Sequence, residues 1–244
     1  MSGEIALTGG NTGTVVRVGD TVRRETGPWT PAVHRLLQVY ASAGIEGTPR
    51  VRGTDDRGRE VLSFIPGRTM VDLPSGEQWN RDLLISAGSL LRRLHDASTA
   101  LVGAPLQWRQ PDHPPCEVIC HNDVAPYNLV VRDGRLVGVI DVDMASPGSR
   151  LWDLAHLAYR LAPFAEDASD VDPTAHGSPS ARVELLVGAY GGSWSRAEVT
   201  EVAVARLEEL AVFTERRAAE TGRGEFLDHA AMYRRDARRL SGSL

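Results

Sequence analysis

Apolar and polar residues alternate along the first part of the chain, then change period. In ALTGGNTGTVVRVGDTVRRE, Val16, Val18 and Val22 keep to one alternating set, and Gly9-Gly10 and Gly19-Asp20 punctuate the run. A period of two predicts two or three antiparallel strands. WTPAVHRLLQVYASAG then puts Val33, Leu36, Leu37 and Tyr40 on one helical face. Thr30 suits the N-cap, Pro31 the first helical position, and Gly44 the stop. TPRVRGTDDRGREVLSFIPG reads as a hairpin, with Asp56-Arg57-Gly58 at the turn and 61–65 as its second strand.

Pro66-Gly67 marks the change of period. After it, Leu83, Leu84, Ala87, Leu90, Leu91 and Leu94 share one face of a helix. A proline-rich loop at 110–115 leads into three short strands, 117–120, 128–132 and 136–140, the last two joined at Asp133-Gly134. SRLWDLAHLAYRL returns to helix, a polar loop follows, and helices near 181–190, 196–219 and 225–240 complete the chain. The expected fold is α+β: a small antiparallel-sheet lobe over 1–66 and a larger, mostly helical lobe over 67–244.

Composition narrows the function. A chain of 244 residues, 42% hydrophobic and 24% charged, can bury a core as one large domain or two joined lobes. A net charge of -5 argues against a nucleic-acid binder. No apolar run is long enough to span a membrane, and MSGEIALTGG lacks the pattern of a secretion signal. Cys116 and Cys120 lack two further ligands at zinc-site spacing, so reduced thiols and a cytoplasmic location are expected. All 27 basic residues are arginine, so any task that usually needs a lysine falls to arginine here.

The stretch CHNDVAPYNLVVRDGRLVGVIDVDMASPGSRLWDLA carries the candidate chemistry. Asp123 follows a buried strand, Asn128 begins the next, and Asp141 closes the apolar run LVGVI. A hairpin from Asn128 to Asp141 brings its ends together. It would offer a neutral amide oxygen and a carboxylate, the hard oxygen ligands that magnesium takes alongside water and phosphate. Asp123 is then free to orient a nucleophile. The arrangement suits transfer of a phosphoryl group from a metal-bound nucleotide to a hydroxyl.

These residues resemble the aminoglycoside phosphotransferase and choline kinase superfamily, whose fold is similar to that of protein kinases. The kinase form H-R-D-x-x-x-x-N stands here as His121-Asn122-Asp123-Val124-Ala125-Pro126-Tyr127-Asn128. The resemblance implies that Asp123 accepts the substrate proton and that Asn128 and Asp141 hold Mg2+. It implies ATP or GTP as donor and a small hydroxyl-bearing molecule as acceptor, with no nucleic-acid or membrane partner. PGSRLWDLA looks like the helix entry of the small-molecule kinases, in which Asp153 braces the active-site loops. His121 reads as a core histidine bonded to backbone, and Asp143 as structural or as a second carboxylate able to share the metal.

The pattern departs where kinases place a lysine paired with a helix glutamate. By strand alternation, Arg24 of TVRRE faces the cleft and Arg23 faces outward; on α-helical spacing the partner position offers His34 or Gln38, neither a carboxylate. The glycine-rich stretch with Gly9 and Gly10 could cover phosphates with backbone N–H groups, and Ser63-Phe64-Ile65 could meet a purine edge. FAEDASDVD, with Glu166, Asp167, Asp170 and Asp172, could attract a cationic acceptor. The missing lysine–glutamate pair also motivates an alternative, a pseudokinase-like nucleotide-binding or accessory protein with little turnover.

Overall fold

The structure, a computed structural model, describes residues 3–7 and 15–242. The alternating runs form a five-stranded antiparallel sheet of β1 (Ile5–Leu7), β2 (Val15–Val18), β3 (Thr21–Arg24), β4 (Val51–Thr54) and β5 (Glu60–Ser63), in the order β1-β2-β3-β5-β4. The last strand begins at Glu60 and stops at Ser63, because the next N–H, that of Phe64, donates to Asp20 O at 2.8 Å. At the β4–β5 turn Asp55 is the organiser: its Oδ1 accepts from the N–H groups of Arg57 and Arg59, each at 3.0 Å.

The first helix, α1 (Thr30–Ser42), buries the predicted face of Val33, Leu36, Leu37 and Tyr40, each side chain stabilising the fold by roughly 1.5–3 kcal/mol. Its start differs from expectation by one residue. Trp29 sits at the N-cap and Thr30 is already helical. The Gly27–Thr30 turn explains the shift: Thr30 Oγ1 accepts from Gly27 N at 2.8 Å, and Thr30 N donates to Gly27 O at 3.0 Å.

Beyond Pro66-Gly67 a two-residue strand, β6 (Arg68–Thr69), pairs with β8 (Leu129–Arg132), which pairs with β9 (Arg135–Val139). The strand β7 (Val118–Cys120) pairs with β10 (Ser146–Gly148). Neither β6 nor β10 was expected; each is too short to show a period, and β10 contains a proline and a glycine. The helices are α2 (Arg81–Ser98), α3 (Arg150–Leu161), α4 (Pro173–His176), α5 (Pro179–Tyr190), α6 (Arg196–Thr221) and α7 (Glu225–Ser241). The single turn α4 interrupts the polar loop, with Asp172 Oδ1 accepting from Thr174 N at 2.8 Å as its cap.

Two compact units result, one from Met1–Leu73 with Arg92–Ser149, the other from Pro74–Leu91 with Arg150–Leu244. The segment carrying His121 to Asp143 thus groups with the first sheet and α1, while a lobe boundary after residue 66 is a proposal. In the first unit two glycines set a close approach. Val139 N donates to Gly47 O at 2.8 Å, and a Cβ on Gly138 would lie 2.4 Å from that same oxygen. Gly47, at φ +84°, would place its own Cβ 2.2 Å from Val137 O. Only glycine at both positions lets the α1–β4 loop rest on β9, the strand that leads to Asp141.

In the second unit Tyr159, Ala165, Leu207, Ala237 and Leu240 form a buried cluster, flanked by Phe164, Val204, Leu210 and Tyr233. Asp236 is fully buried there and accepts from Tyr159 OH at 2.8 Å and from Glu166 N at 2.9 Å. Burial, then the bond to Asp236, raises the Tyr159 phenol above its usual range, so it stays a donor.

Candidate active site

The hairpin is closed at its base by backbone. Ile140 N donates to Asn128 O at 2.9 Å, which fixes the start of β8 beside the residue preceding Asp141. His121 is buried, with Nε2 3.0 Å from Ile140 O and Nδ1 accepting from Asp123 N at 3.3 Å. It is a core histidine bonded to backbone, as expected. Asn122 turns the chain at φ 65° and donates Nδ2 to Met144 O at 2.9 Å and Ser146 Oγ at 2.8 Å. Asp141 adopts φ 61°, ψ 64°, a left-handed conformation that aspartate tolerates better than most residues. The two unusual residues flank the hairpin and aim the side chains on either side of it.

Asp123 is half-buried and held through both carboxylate oxygens. Its Oδ2 accepts from Asn128 Nδ2 at 2.9 Å, and its Oδ1 accepts from Tyr127 OH at 2.6 Å. The same Nδ2 donates to the Asp123 carbonyl at 2.9 Å. Both Asn128 contacts use the amide nitrogen, so the amide oxygen is the atom directed elsewhere. Bonds to an ionised carboxylate are about twice as strong as neutral ones, and they hold Asp123 in one rotamer.

Arg24 lies on the opposite face of β3 from Arg23, as alternation predicts. Arg23 donates to Thr21 and sits 3.7 Å from Asp55. Arg24 reaches the hairpin: Nη1 is 2.9 Å from Asp141 Oδ1, Nη2 is 2.6 Å from Asp143 Oδ1, and Nε donates to Glu60. Glu60 is 1% exposed and turns its second oxygen to His34 Nε2 at 2.8 Å. The carboxylate partner of the strand cation therefore comes from β5, and His34 of α1 bonds to that carboxylate from behind. Gln38 takes no part in this cluster. Burial disfavours the Arg24 charge, but Asp143, Glu60 and Asp141 together hold its pKa above the usual arginine value.

Asp143 joins the same cluster. It faces Arg24, lies 3.7 Å from Arg109 Nη1, and accepts from the Trp29 side chain. Arg109 in turn stacks over the Trp29 ring, 4.3 Å from its centroid. Burial raises the Asp143 carboxyl above the usual aspartate range; Arg24 pulls it down, and Asp141 and Glu60 push it up. Three carboxylates against two guanidiniums leave the cluster net negative. The Asn128 amide oxygen and the carboxylates of Asp141 and Asp143 are hard oxygen donors of the kind magnesium takes. The Asp141 side chain is 38% exposed and keeps its second oxygen available to a cation.

Other expected site residues are more committed to the sheet. Ser63 N donates to Arg50 O at 2.9 Å and Phe64 N to Asp20 O at 2.8 Å. Arg17 covers the Phe64 ring at 3.8 Å. Gly9 and Gly10 lie outside the described residues. Asp153 is fully buried in the first turn of α3. In the acidic loop, Glu166 pairs with Arg235 at 2.6 Å and Asp167 with Arg160 at 3.1 Å, so much of its charge is spent within the protein. Cys120 is buried and Cys116 partly exposed, and neither is in a disulfide.

Sequence reading missed Glu60 and Tyr127. Glu60 stands directly opposite Arg24 in the β3–β5 register, a cross-strand pair of opposite charge that shows only once that register is known. Tyr127 had none, since an aromatic before Asn128 reads equally well as packing.

Comparison with known proteins gives a consistent result. The model of the phosphotransferase enzyme family matches residues 104–184. A trifolitoxin immunity protein of Rhizobium leguminosarum bv. trifolii is 38% identical over 206 residues, 78% of this chain and 75% of that protein. A choline/ethanolamine kinase family protein of Mesorhizobium loti is similar in structure, with a TM-score of 0.65 at 21% identity over 98% of this chain and 87% of that one. An ethanolamine kinase of Plasmodium vivax gives a TM-score of 0.71 at 10% identity, covering 99% and 84%. A macrolide 2'-phosphotransferase of Brachybacterium faecium gives 0.62 at 18%, covering 94% and 91%. The α+β, protein-kinase-like fold expected from the sequence is the fold these kinases share.

Proposed function

The chain belongs to the phosphotransferase enzyme family, and from that premise we propose that it is a small-molecule kinase. It would move the γ-phosphoryl group of a magnesium-bound nucleoside triphosphate, ATP or GTP, onto a substrate hydroxyl. The observation that carries this reading is the Asp123–Asn128 contact at 2.9 Å in the same compact unit as the Arg24–Asp141 pair at 2.9 Å. A fixed carboxylate stands beside an amide whose oxygen is left for a cation, and an acidic cluster begins where the returning strand of the same hairpin ends.

In this reading Asp123 accepts the hydroxyl proton as the acceptor oxygen bonds to the γ-phosphorus and the bond to the β-phosphate oxygen breaks. Asn128 and Asp141 hold magnesium, which supplies charge neutralisation for the phosphates. Arg24 steadies phosphate oxygens with a guanidinium that cannot lose its proton. Ser63, Phe64 and Ile65 border the base. The acceptor is a small hydroxyl compound, the larger helical lobe from residue 67 onward carries its site, and the protein works in the cytoplasm without nucleic acid or membrane. Almost all of the catalysis is positioning and electrostatics.

Thermal unfolding with ATP or GTP, with and without magnesium chloride, tests the binding half of the proposal. Stabilisation by nucleotide that requires magnesium, and disappears in Asp141→Ala, is expected. Equal melting temperatures in all conditions would remove it.

One observation favours a second reading, a nucleotide-binding protein with little turnover. Arg24 is shared among Glu60, Asp141 and Asp143, so phosphate and metal must compete with ion pairs already made. The immunity function in the relative's name fits either reading, since phosphorylating a toxin and sequestering one both protect. Turnover separates the two.

A further inference from the structure

Resting on that kinase reading, one contact goes beyond it. A hydroxyl about to be phosphorylated must place its O–H on the general base, at roughly 2.6–3.2 Å between heavy atoms. In the free protein a hydroxyl already sits there: Tyr127 OH donates to Asp123 Oδ1 at 2.6 Å. The other oxygen, Oδ2, holds Asn128 Nδ2 at 2.9 Å, a bond that also orients the amide. Of the two positions, the one taken by Tyr127 can be vacated without disturbing Asn128. Tyr127 is 38% exposed, whereas its neighbours Pro126 and Asn128 are buried.

We infer that Tyr127 is a gate that mimics the acceptor: its phenol occupies the acceptor's seat on Asp123 and yields only to a substrate that brings its own hydroxyl and enough further contacts to displace it. Two consequences follow from the chemistry. Water, which brings a hydroxyl and nothing else, is a poor competitor for a charge-assisted bond, so hydrolysis of the nucleotide without acceptor is suppressed. Minimal alcohols are excluded for the same reason, and the gate selects for larger hydroxyl compounds anchored elsewhere on the protein. Tyr127 is thereby a specificity-determining residue that acts through the base.

Tyr127→Phe deletes the hydroxyl and keeps the ring. The full-length wild type, Tyr127→Phe and the double variant Asp123→Asn/Tyr127→Phe are compared for phosphate release from magnesium ATP and magnesium GTP with no acceptor added. The gate predicts about tenfold faster release in Tyr127→Phe, the scale set by one charge-assisted hydrogen bond. The rise is in kcat with KM for the nucleotide unchanged, and it is abolished in the double variant. A purely structural tyrosine would lower the rate or move KM. Release that is unchanged or slower in Tyr127→Phe, while magnesium nucleotide still stabilises both proteins, overturns the gate and leaves the kinase reading standing. Failure of the wild type to bind magnesium nucleotide at all overturns both.

Discussion

Arg24 on β3 and Asp141 at the end of the hairpin, 117 positions apart in the chain, meet at 2.9 Å. The contact is possible because Glu60, directly across from Arg24 in the β3–β5 register, holds the guanidinium from below. Replacing Glu60 by Gln keeps the shape and removes the charge. Arg24 loses one of its three carboxylate partners and His34 loses a carboxylate neighbour, and the variant is expected to be less stable by about 1–3 kcal/mol. A lower urea midpoint at unchanged slope is the expected result. Nucleotide affinity should fall with it, because Arg24 is no longer aimed.

The approach of Gly47 to Gly138 predicts a second, sharper effect. A methyl group at residue 138 meets the Gly47 carbonyl at 2.4 Å, and backbone cannot rotate aside as a side chain would. Gly138→Ala should cost about 1–3 kcal/mol or more through overpacking. By shifting β9 it should also weaken magnesium-dependent nucleotide binding at Asp141, two residues beyond the end of that strand. Gly188→Ala is the matched control, since a Cβ there meets nothing within 4 Å. Gly188→Ala should leave binding untouched.

Acid should loosen the second unit through Glu166. The hydrogen bond from Arg235 holds the Glu166 carboxyl below the usual glutamate range. A group whose folded pKa is lowered contributes stability above its unfolded value, near 4.5, and loses it as pH falls through the folded value. Stability measured from pH 6 downward should therefore drop in that window, and Glu166→Gln should flatten that part of the profile. The effect is modest because the pair is exposed.

Much of this molecule was legible in the sequence, and the reasons differ by element. Alternation sorted Arg24 from Arg23 correctly because strand geometry leaves only two faces. The face of α1 was clear because four large apolar residues share it. The hairpin ends were legible because Asn128 and Asp141 bracket two apolar strands joined by Asp-Gly. What stayed hidden depended on partners distant in sequence. Glu60 lay outside the expected strand 61–65, and its place opposite Arg24 needed the β3–β5 register. Asp143 could not be matched to Arg24, Arg109 and Trp29, its partners from three other segments, from spacing alone. Tyr127 carried no periodic or charge signal, and its hydroxyl has meaning only beside Asp123. Thr30 failed as a cap because a local turn at Gly27 claimed its side chain.

The most direct test of the kinase account is transfer itself. The wild type and Asp123→Asn are incubated with γ-labelled ATP or GTP, magnesium and a panel of hydroxyl-bearing small molecules, and labelled product is followed over time. Wild type should label at least one acceptor, and Asp123→Asn should be slower by about 10²–10⁴-fold while binding nucleotide as before. Labelling that proceeds equally in both proteins, or magnesium-dependent binding with no transfer by the wild type to any acceptor, would contradict the account.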